Sequence, residues 1–402
     1  MLSQHEIALI KATVPILQEH GVALTQHFYT RMFTHNPELK NIFNMGNQQN
    51  GKQQTALAMS VLAYAENIEN PSVLLPVLQR ISDKHTSLQI KPQQYQIVGN
   101  HLIASIKEVL GDGASDELLA AWTKAYQQLA NLMINLEKTM YQQKESLPGG
   151  WSGWRPFIVN DKVNESDEIV SFYLYPTDGG IVPLHKPGQY LSIKIFISAL
   201  GIFQPRQYSI SSAPNNAYYR ISVKKEFNPN TGNKGTLSSH LHENIAIGDT
   251  VELTTPAGDF TFNTDSVAPL VLLSGGVGQT PFVSMVEHLT QSNQSRSVKW
   301  IHACRSEGVH AFKEQMNIWH NTHEWFEHIV FYENGDKENQ TALKGRLNLE
   351  QVKETVLIPE AEYYLCGPKP FIEKAYADLT TYGVDRKRIF FEEFGPQTVQ
   401  LN

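Results

Sequence analysis

At 402 residues the chain is too long for one ordinary domain, and its 41 % hydrophobic content can fill two or three separate cores. Its formal net charge is −7 and its Lys and Arg residues are scattered, so it carries no basic footprint for nucleic acid or an anionic membrane. Two cysteines, Cys304 and Cys366, rule out a dense disulfide framework and fit a reducing compartment. The first residues lack the basic-then-apolar pattern of a secretion signal, and no run approaches the roughly 18 apolar residues of a membrane span. The expectation is a cytoplasmic protein with no stable membrane insertion. No coiled-coil heptad or long apolar edge is evident, so a monomer is expected.

Residues 1–146 predict an all-α module. Gln53, Ala56, Leu57, Ser60, Val61 and Tyr64 recur at the spacing of one helical face. Tyr95, Val98, Leu102, Ile106 and Val109 do the same, as do Leu118, Trp122, Ala125, Leu129, Leu132 and Leu136. Pro37 and Pro92 suit the first turn of a helix, where a missing N–H does no harm. Residues 147–154, Leu-Pro-Gly-Gly-Trp-Ser-Gly-Trp, are rich in breakers and read as a linker.

Residues 155–264 carry short β-like runs at Phe157–Val163, Ile169–Tyr175, Tyr190–Phe196, Gln207–Ile210 and Tyr219–Lys224. Gly and Pro punctuate them, which predicts an antiparallel β-barrel. From 265 to 402 the pattern alternates. Strands are expected at Leu270–Leu273, Val298–Ala303, His328–Tyr332, Tyr363–Cys366 and Ile389–Phe391. Helices are expected at Pro281–Thr290, Val309–Asn321 and Pro370–Tyr382. Such alternation predicts an α/β domain with a parallel sheet covered on both faces.

Several short strings stand out chemically. Composition singles out none of the fifteen histidines, but His85 follows a helix carrying Gln53 and Leu57, with Tyr29 and Phe43 upstream. Glu137 sits against an apolar helical face, where a carboxylate is poorly solvated unless paired. Gly275-Gly-Val-Gly-Gln-Thr-Pro281 follows an apolar run. It is not the GxGxxG fingerprint, yet its glycines allow a backbone to approach a pyrophosphate closely. Thr280 is expected as the N-cap and Pro281 as the first helical residue, so that the helix N-terminus faces the anion. Gly235-Thr-Leu-Ser238, before an expected helix at 239–242, offers N–H groups and a hydroxyl to phosphate oxygens. Pro205-Arg-Gln-Tyr-Ser209 follows barrel strands, and Tyr364-Leu-Cys-Gly-Pro-Lys369 follows a later parallel strand. Cys366 reads as a small buried residue rather than a nucleophile.

Over nearly its whole length the chain resembles the flavohaemoglobin family. The strings that carry this are His27-Phe-Tyr-Thr-Arg-Met-Phe33, Lys84-His-Thr-Ser87 and Lys91-Pro-Gln-Gln-Tyr-Gln-Ile-Val-Gly99, with the Arg-x-Tyr-Ser string of ferredoxin-reductase-like modules. The resemblance implies haem b, FAD and NADH or NADPH as cofactors. It makes His85 the proximal iron ligand, with Tyr95 and Glu137 as a hydrogen-bonded relay behind it. Tyr29, Gln53 and Leu57 would line the distal pocket, and Phe43 would pack on the haem face. Lys84 and Glu392 match positions that bridge the globin and flavin modules.

For FAD it implies Arg206 at the pyrophosphate, Gln207, Tyr208 and Ser209 along the flavin, and Tyr190 near the adenine end. Gly235 and Ser238 would meet phosphate, and the closing string Glu392, Glu393, Phe394, Gly395 and Pro396 would approach the ring. A less polar residue would be expected at 393. For the nicotinamide nucleotide it implies Gly275, Gly276, Val277, Gly278, Gln279 and Thr280, then Cys366, Gly367 and Pro368. The implied activity is NAD(P)H-driven oxidation of nitric oxide by O2 to nitrate, with FAD dividing a two-electron hydride into single electrons. Two other classes stay open: an O2 or NO sensor or carrier, and a flavin-linked ferric, quinone or alkylhydroperoxide reductase. Arg305 could meet a 2′-phosphate, which leaves NADH and NADPH both open.

Overall fold

The computed structural model describes residues 2–227, 232–292, 296–335 and 341–395. The N-terminal part is helical: α1 (Gln4–Ala12), α2 (Val14–His35), α3 (Met45–Gln49), α4 (Lys52–Glu66), α5 (Leu75–Ser87), α6 (Pro92–Leu110) and α7 (Asp116–Ser146). Local chemistry starts these helices. Ser3 and Glu6 exchange hydrogen bonds in a capping box at α1. Pro92 opens α6, while Pro37 opens a 3-10 turn, Pro37–Asn41. Phe28, Met32, Tyr64, Leu102, Ile106 and Trp122 fill the core between the helices. Tyr64 also donates to the Ala125 carbonyl at 3.0 Å. Helices α6 and α7 come so close that a Cβ at Gly99 would lie 2.4 Å from the Tyr126 ring.

The next stretch holds β1 (Arg155–Asn164), β2 (Ile169–Pro176), β3 (Tyr190–Ile197), β4 (Ile202–Ser209), β5 (Tyr219–Lys224), α8 (Thr236–Asn244) and β6 (Thr250–Leu253). The strands form one sheet in the order β4-β3-β6-β1-β2-β5. Strand β2 is antiparallel to both β1 and β5, and a bulge interrupts β1 between Val159 and Asp161. Two expectations needed correction. Strand β4 begins at Ile202, before Pro205, and ends at Ser209; helix α8 begins at Thr236 rather than 239. Strand β6 is too short to show alternation in sequence.

The last part holds β7 (Leu270–Gly275), α9 (Thr280–Gln291), β8 (Val298–Cys304), α10 (Lys313–Thr322), β9 (Phe326–Tyr332), β10 (Ala342–Lys344), α11 (Lys353–Val356), β11 (Glu362–Cys366), α12 (Lys369–Thr381) and β12 (Ile389–Glu392). All pair in parallel in the order β10-β9-β8-β7-β11-β12. The chain leaves β7 in one direction and returns to β11 on its other side. That makes the carboxyl end of β7 a topological switch point, where such sheets bind ligands. Phe282, Trp300 and Phe326 fill one face; Leu273, Ile301, Tyr363 and Leu379 fill the other. Helix α10 starts four residues later than expected because Phe312 takes φ +57.

Among the described residues, no single helix is long and apolar enough to cross a membrane.

Candidate functional site

His85 lies in the last turn of α5, Tyr95 in the first turn of α6 and Glu137 on α7. His85 Nδ1 is 2.9 Å from Tyr95 Oη and 2.8 Å from Glu137 Oε1. Tyr95 Oη donates to the same Oε1 at 2.5 Å. Burial first, and then the Glu137 charge, push the Tyr95 phenol far above its ordinary range, so it stays protonated. Its proton points to Glu137, and Glu137 also accepts the Nδ1–H of His85. This fixes the tautomer with Nε2 unprotonated, its lone pair free for an axial bond. The residues therefore fit a haem iron. The Glu137 side chain is 4 % exposed while the His85 ring is 31 % exposed, so the carboxyl group is buried and the imidazole is open.

Tyr29 is buried on α2, and burial raises its phenol to about 12 against the pull of hydrogen bonds with Gln53 and Gln48. Phe43 packs edge-on against Tyr29 at 5.8 Å and Phe33 at 5.3 Å, and Leu57 joins the same cluster. Gln48 escaped the sequence reading because the polar run Asn47-Gln-Gln-Asn50 shows no period that would single it out. Lys84 lies one residue before His85, half-buried.

Strand β4 keeps Arg206, Gln207 and Tyr208 half-exposed and buries Ser209. Arg206 Nη1 donates to the Pro205 carbonyl at 2.7 Å. The fully buried Gln204 beside it was not anticipated. Its amide donates to Lys40 O at 3.1 Å, and its oxygen accepts from Met45 N at 3.1 Å. Phe203 N donates to Asn41 Oδ1 at 2.8 Å. These bonds tie the strand to the segment that carries Phe43. No local pattern signals them.

Tyr190 lies over Gly258, where φ is +102 and a Cβ would come within 2.8 Å of the ring. Ser238 is not offered as a free hydroxyl. It accepts from Glu226 N at 3.1 Å and donates to Gly235 O at 3.3 Å. The neighbouring Ser239 Oγ, at the N-terminal turn of α8, is buried without a hydrogen-bond partner among the described residues. A phosphate there would meet helix N–H groups and an unpaired hydroxyl, which fits FAD. Glu393 is buried, Phe394 is 40 % exposed and Gly395 takes φ +127. Glu392 is paired in register with Cys366. Pro396 lies outside the described residues.

At the switch point, Gly276 takes φ +56 with open space where a Cβ would stand. Gly278 lies against the second loop: its Cβ would be 2.2 Å from Cys366 O and 2.8 Å from Gly367 N. A Cβ on Gly367 would in turn meet Gly275 N at 3.1 Å. Residues 276–279 form a 3-10 turn, and Thr280 is the first residue of α9, not its cap. Its hydroxyl turns back to Val277 O at 3.1 Å. Gln279 is fully buried, and neither end of its amide has a partner among the described residues. An orphaned amide beside an open glycine backbone fits a nucleotide. Pro368 caps α12 and packs near Gly275. Burial, then the Glu392 charge, raise the Cys366 thiol well above its usual range, so it is no nucleophile. Arg305 is paired with the Glu168 carboxylate.

The chain matches the Globin family over residues 26–133, the Oxidoreductase FAD-binding domain over 157–262 and the Oxidoreductase NAD-binding domain over 272–376. A crystal structure of flavohemoglobin from Malassezia yamatoensis, with bound FAD and haem, aligns with a TM-score of 0.85 at 28 % identity, covering 98 % of this chain and 100 % of that one. The FAD/NAD-binding domain of a nitric oxide dioxygenase from Vibrio cholerae aligns at 0.54 with 37 % identity, over 60 % of this chain and 99 % of that one. Fold and site thus define a haem globin joined to an FAD- and NAD-dependent reductase, an NAD(P)H oxidoreductase. The chain is 49 % identical over 400 residues to the flavohemoprotein of Bordetella parapertussis, covering 98 % of this chain and 99 % of the relative. The figure for the flavohemoprotein of Rhizobium meliloti is 46 % over 403 residues, covering 98 % and 99 %. The chain belongs to the flavohemoprotein family, and haem, FAD and a nicotinamide nucleotide are its cofactors.

Proposed function

We propose that this protein is an NAD(P)H-dependent nitric oxide dioxygenase that converts nitric oxide and O2 to nitrate. The observation that carries the reading is the pairing of a Glu137-held His85 with a buried, protonated Tyr29. When bound, the cofactors would supply the redox chemistry: a hydride from the nicotinamide, its division into single electrons at FAD, and a haem at which O2 and nitric oxide can react.

The chain's own residues do the rest. Glu137 accepts the Nδ1–H of His85, which makes Nε2 a stronger electron donor to a haem iron that it would hold and would favour negative charge on a bound ligand. Tyr29, with Gln53, would supply hydrogen-bond donors where that charge gathers. Phe43 and Leu57, packed in the same cluster as Tyr29, would limit the size of the pocket and keep water out. The Gly275–Thr280 loop would hold the pyrophosphate with backbone N–H groups. A pure carrier or sensor has little use for a built-in reductase, and the dedicated nucleotide cradle weighs against that reading. The likeness of the reductase part to the FAD/NAD-binding domain of the Vibrio nitric oxide dioxygenase supports the proposal. We also read the protein as a monomer.

The deciding experiment is aerobic nitric oxide consumption by haem- and FAD-loaded protein, with NADH and then NADPH, following nitrate. Nucleotide-dependent loss of nitric oxide with nitrate formed, abolished in Tyr29→Phe and His85→Ala, is expected. Slow, sub-stoichiometric loss with NADH still oxidised by other acceptors would overturn it.

A further inference from the structure

Strand β4 ends at Ser209, and three residues almost directly beyond it, Ser211, Ser212 and Ala213, hold helix α9. Ser284 Oγ donates to Ser212 O at 2.7 Å, and Ala213 N donates to Glu287 Oε2 at 3.1 Å. Arg220 Nη2 donates to that same Oε2 at 2.9 Å and to Ser211 O; its Nε reaches Ser211 Oγ at 3.2 Å. His185 Nε2 lies 3.0 Å from Ser212 O and 3.3 Å from Ser284 Oγ. The guanidinium is sandwiched by Tyr173 and Phe312, at 5.8 and 5.6 Å. Ser211, Ser212 and Ser284 are fully buried, and the Arg220 side chain is 11 % exposed.

Two paths converge on this clamp. One runs from Tyr208 and Ser209 along only a few residues of backbone. The other runs from the glycine loop down α9, where Ser284 is about one turn, roughly 6 Å, beyond Thr280. Hydride transfer needs the donor carbon of the nicotinamide and the acceptor nitrogen of the flavin about 3–3.5 Å apart, and a misplacement of about 1 Å costs on the order of a hundredfold in rate. A helix that carries the nucleotide loop, is pinned to the extension of the flavin strand by two direct hydrogen bonds and is bridged to it by Arg220 and His185 fixes that separation. Simple stapling of two packed layers would need only apolar contact, and burying an arginine–glutamate pair for that end gains little.

We propose that Glu287, Ser284 and Arg220 are positioning residues for hydride transfer: they set the register of the nucleotide helix against the flavin strand. The proposal does not depend on the terminal electron acceptor.

The test is anaerobic rapid mixing of the haem- and FAD-loaded full chain with NADH, following flavin bleaching over a range of nucleotide concentrations. Glu287→Gln and Ser284→Ala are expected to lower the limiting reduction rate about tenfold or more, with the half-saturating NADH concentration within about twofold. FAD content should be unchanged, and Glu287→Asp should recover part of the rate. A limiting rate equal to the parent's in both variants overturns the proposal, even if the melting temperature falls. So does a change confined to half-saturation. If Glu287→Gln does not fold, Ser284→Ala, which removes one hydroxyl, decides alone.

Discussion

Tyr95 and His85 share one oxygen: Glu137 Oε1 receives the phenol at 2.5 Å and the imidazole Nδ1 at 2.8 Å. The three residues come from three helices, so the orientation of the ring is set by the packing of α5, α6 and α7 together. Removing the carboxylate leaves Nδ1 with only the phenol as partner. Glu137→Ala is expected to cut nitric oxide turnover by about 10–100-fold and to weaken the iron–histidine stretching frequency. Tyr95→Phe should do less, because the Glu137 contact remains. Turnover in Glu137→Ala equal to the parent's would show that the contact has no part in the chemistry.

Acid should attack the reductase part first. Burial lowers His185 to about 4 and His302 to about 3, and both are neutral in the folded state. The unfolded chain takes up protons at these sites below about pH 6.5 while the folded chain does not. Stability is therefore full above that pH and falls between about pH 6.5 and 4. At pH 5 each histidine should cost about 2 kcal/mol relative to pH 7. Urea midpoints at the two pH values check this. In His302→Asn the dependence should be shallower; an unchanged slope would contradict the assignment.

Gly278→Ala should be damaging out of proportion to its size. The new methyl would stand 2.2 Å from a backbone carbonyl, so the two loops must separate. A loss of about 1–3 kcal/mol and a raised KM for NADH are expected. Gly276→Ala meets no atom, and its left-handed backbone alone should cost about 1 kcal/mol. Thermal melts and NADH titrations of the two variants separate space from strain.

Gln204→Ala should take this partner from the N–H of Met45 and the carbonyl of Lys40, both on half-buried residues. A stability loss of about 1–3 kcal/mol follows from the unpaired groups. Haem reduction should slow while flavin reduction by NADH keeps its rate, because the change falls on the link between β4 and the Phe43 segment. Rapid mixing at haem and flavin wavelengths distinguishes the two; equal rates at both would remove Gln204 from the electron path.

What the sequence made legible follows physical lines. Helices α6 and α7 were readable because each buries one stripe, and Glu137 because a carboxylate interrupts such a stripe; in α4 the buried residues are Gln54, Ala58, Val61, Tyr64 and Ala65, shifted round the helix from the stripe read in the sequence. The glycine loop was readable because few folds tolerate three glycines after an apolar strand. Strands β6 and β10, four and three residues long, carry no period. The role of Thr280 was misread because a 3-10 turn precedes the helix and puts Gln279 at the N-cap position. Gln48, Gln204, Ser284 and Glu287 were missed for one reason. Each works through partners distant in the chain or without local pattern; Gln204 and Met45 are 159 positions apart. Polar residues of that kind become visible only when topology brings their partners in.

The contact between the two nucleotide loops has an evolutionary consequence. Gly278 abuts the main chain of Cys366 and Gly367, not a side chain. A clash with a side chain can be relieved by a smaller neighbour, but a clash with a carbonyl cannot. No second substitution in either loop makes room for the first. These glycines are thus closed to gradual drift, and divergence of this reductase must be absorbed elsewhere, on surfaces that answer only to solvent.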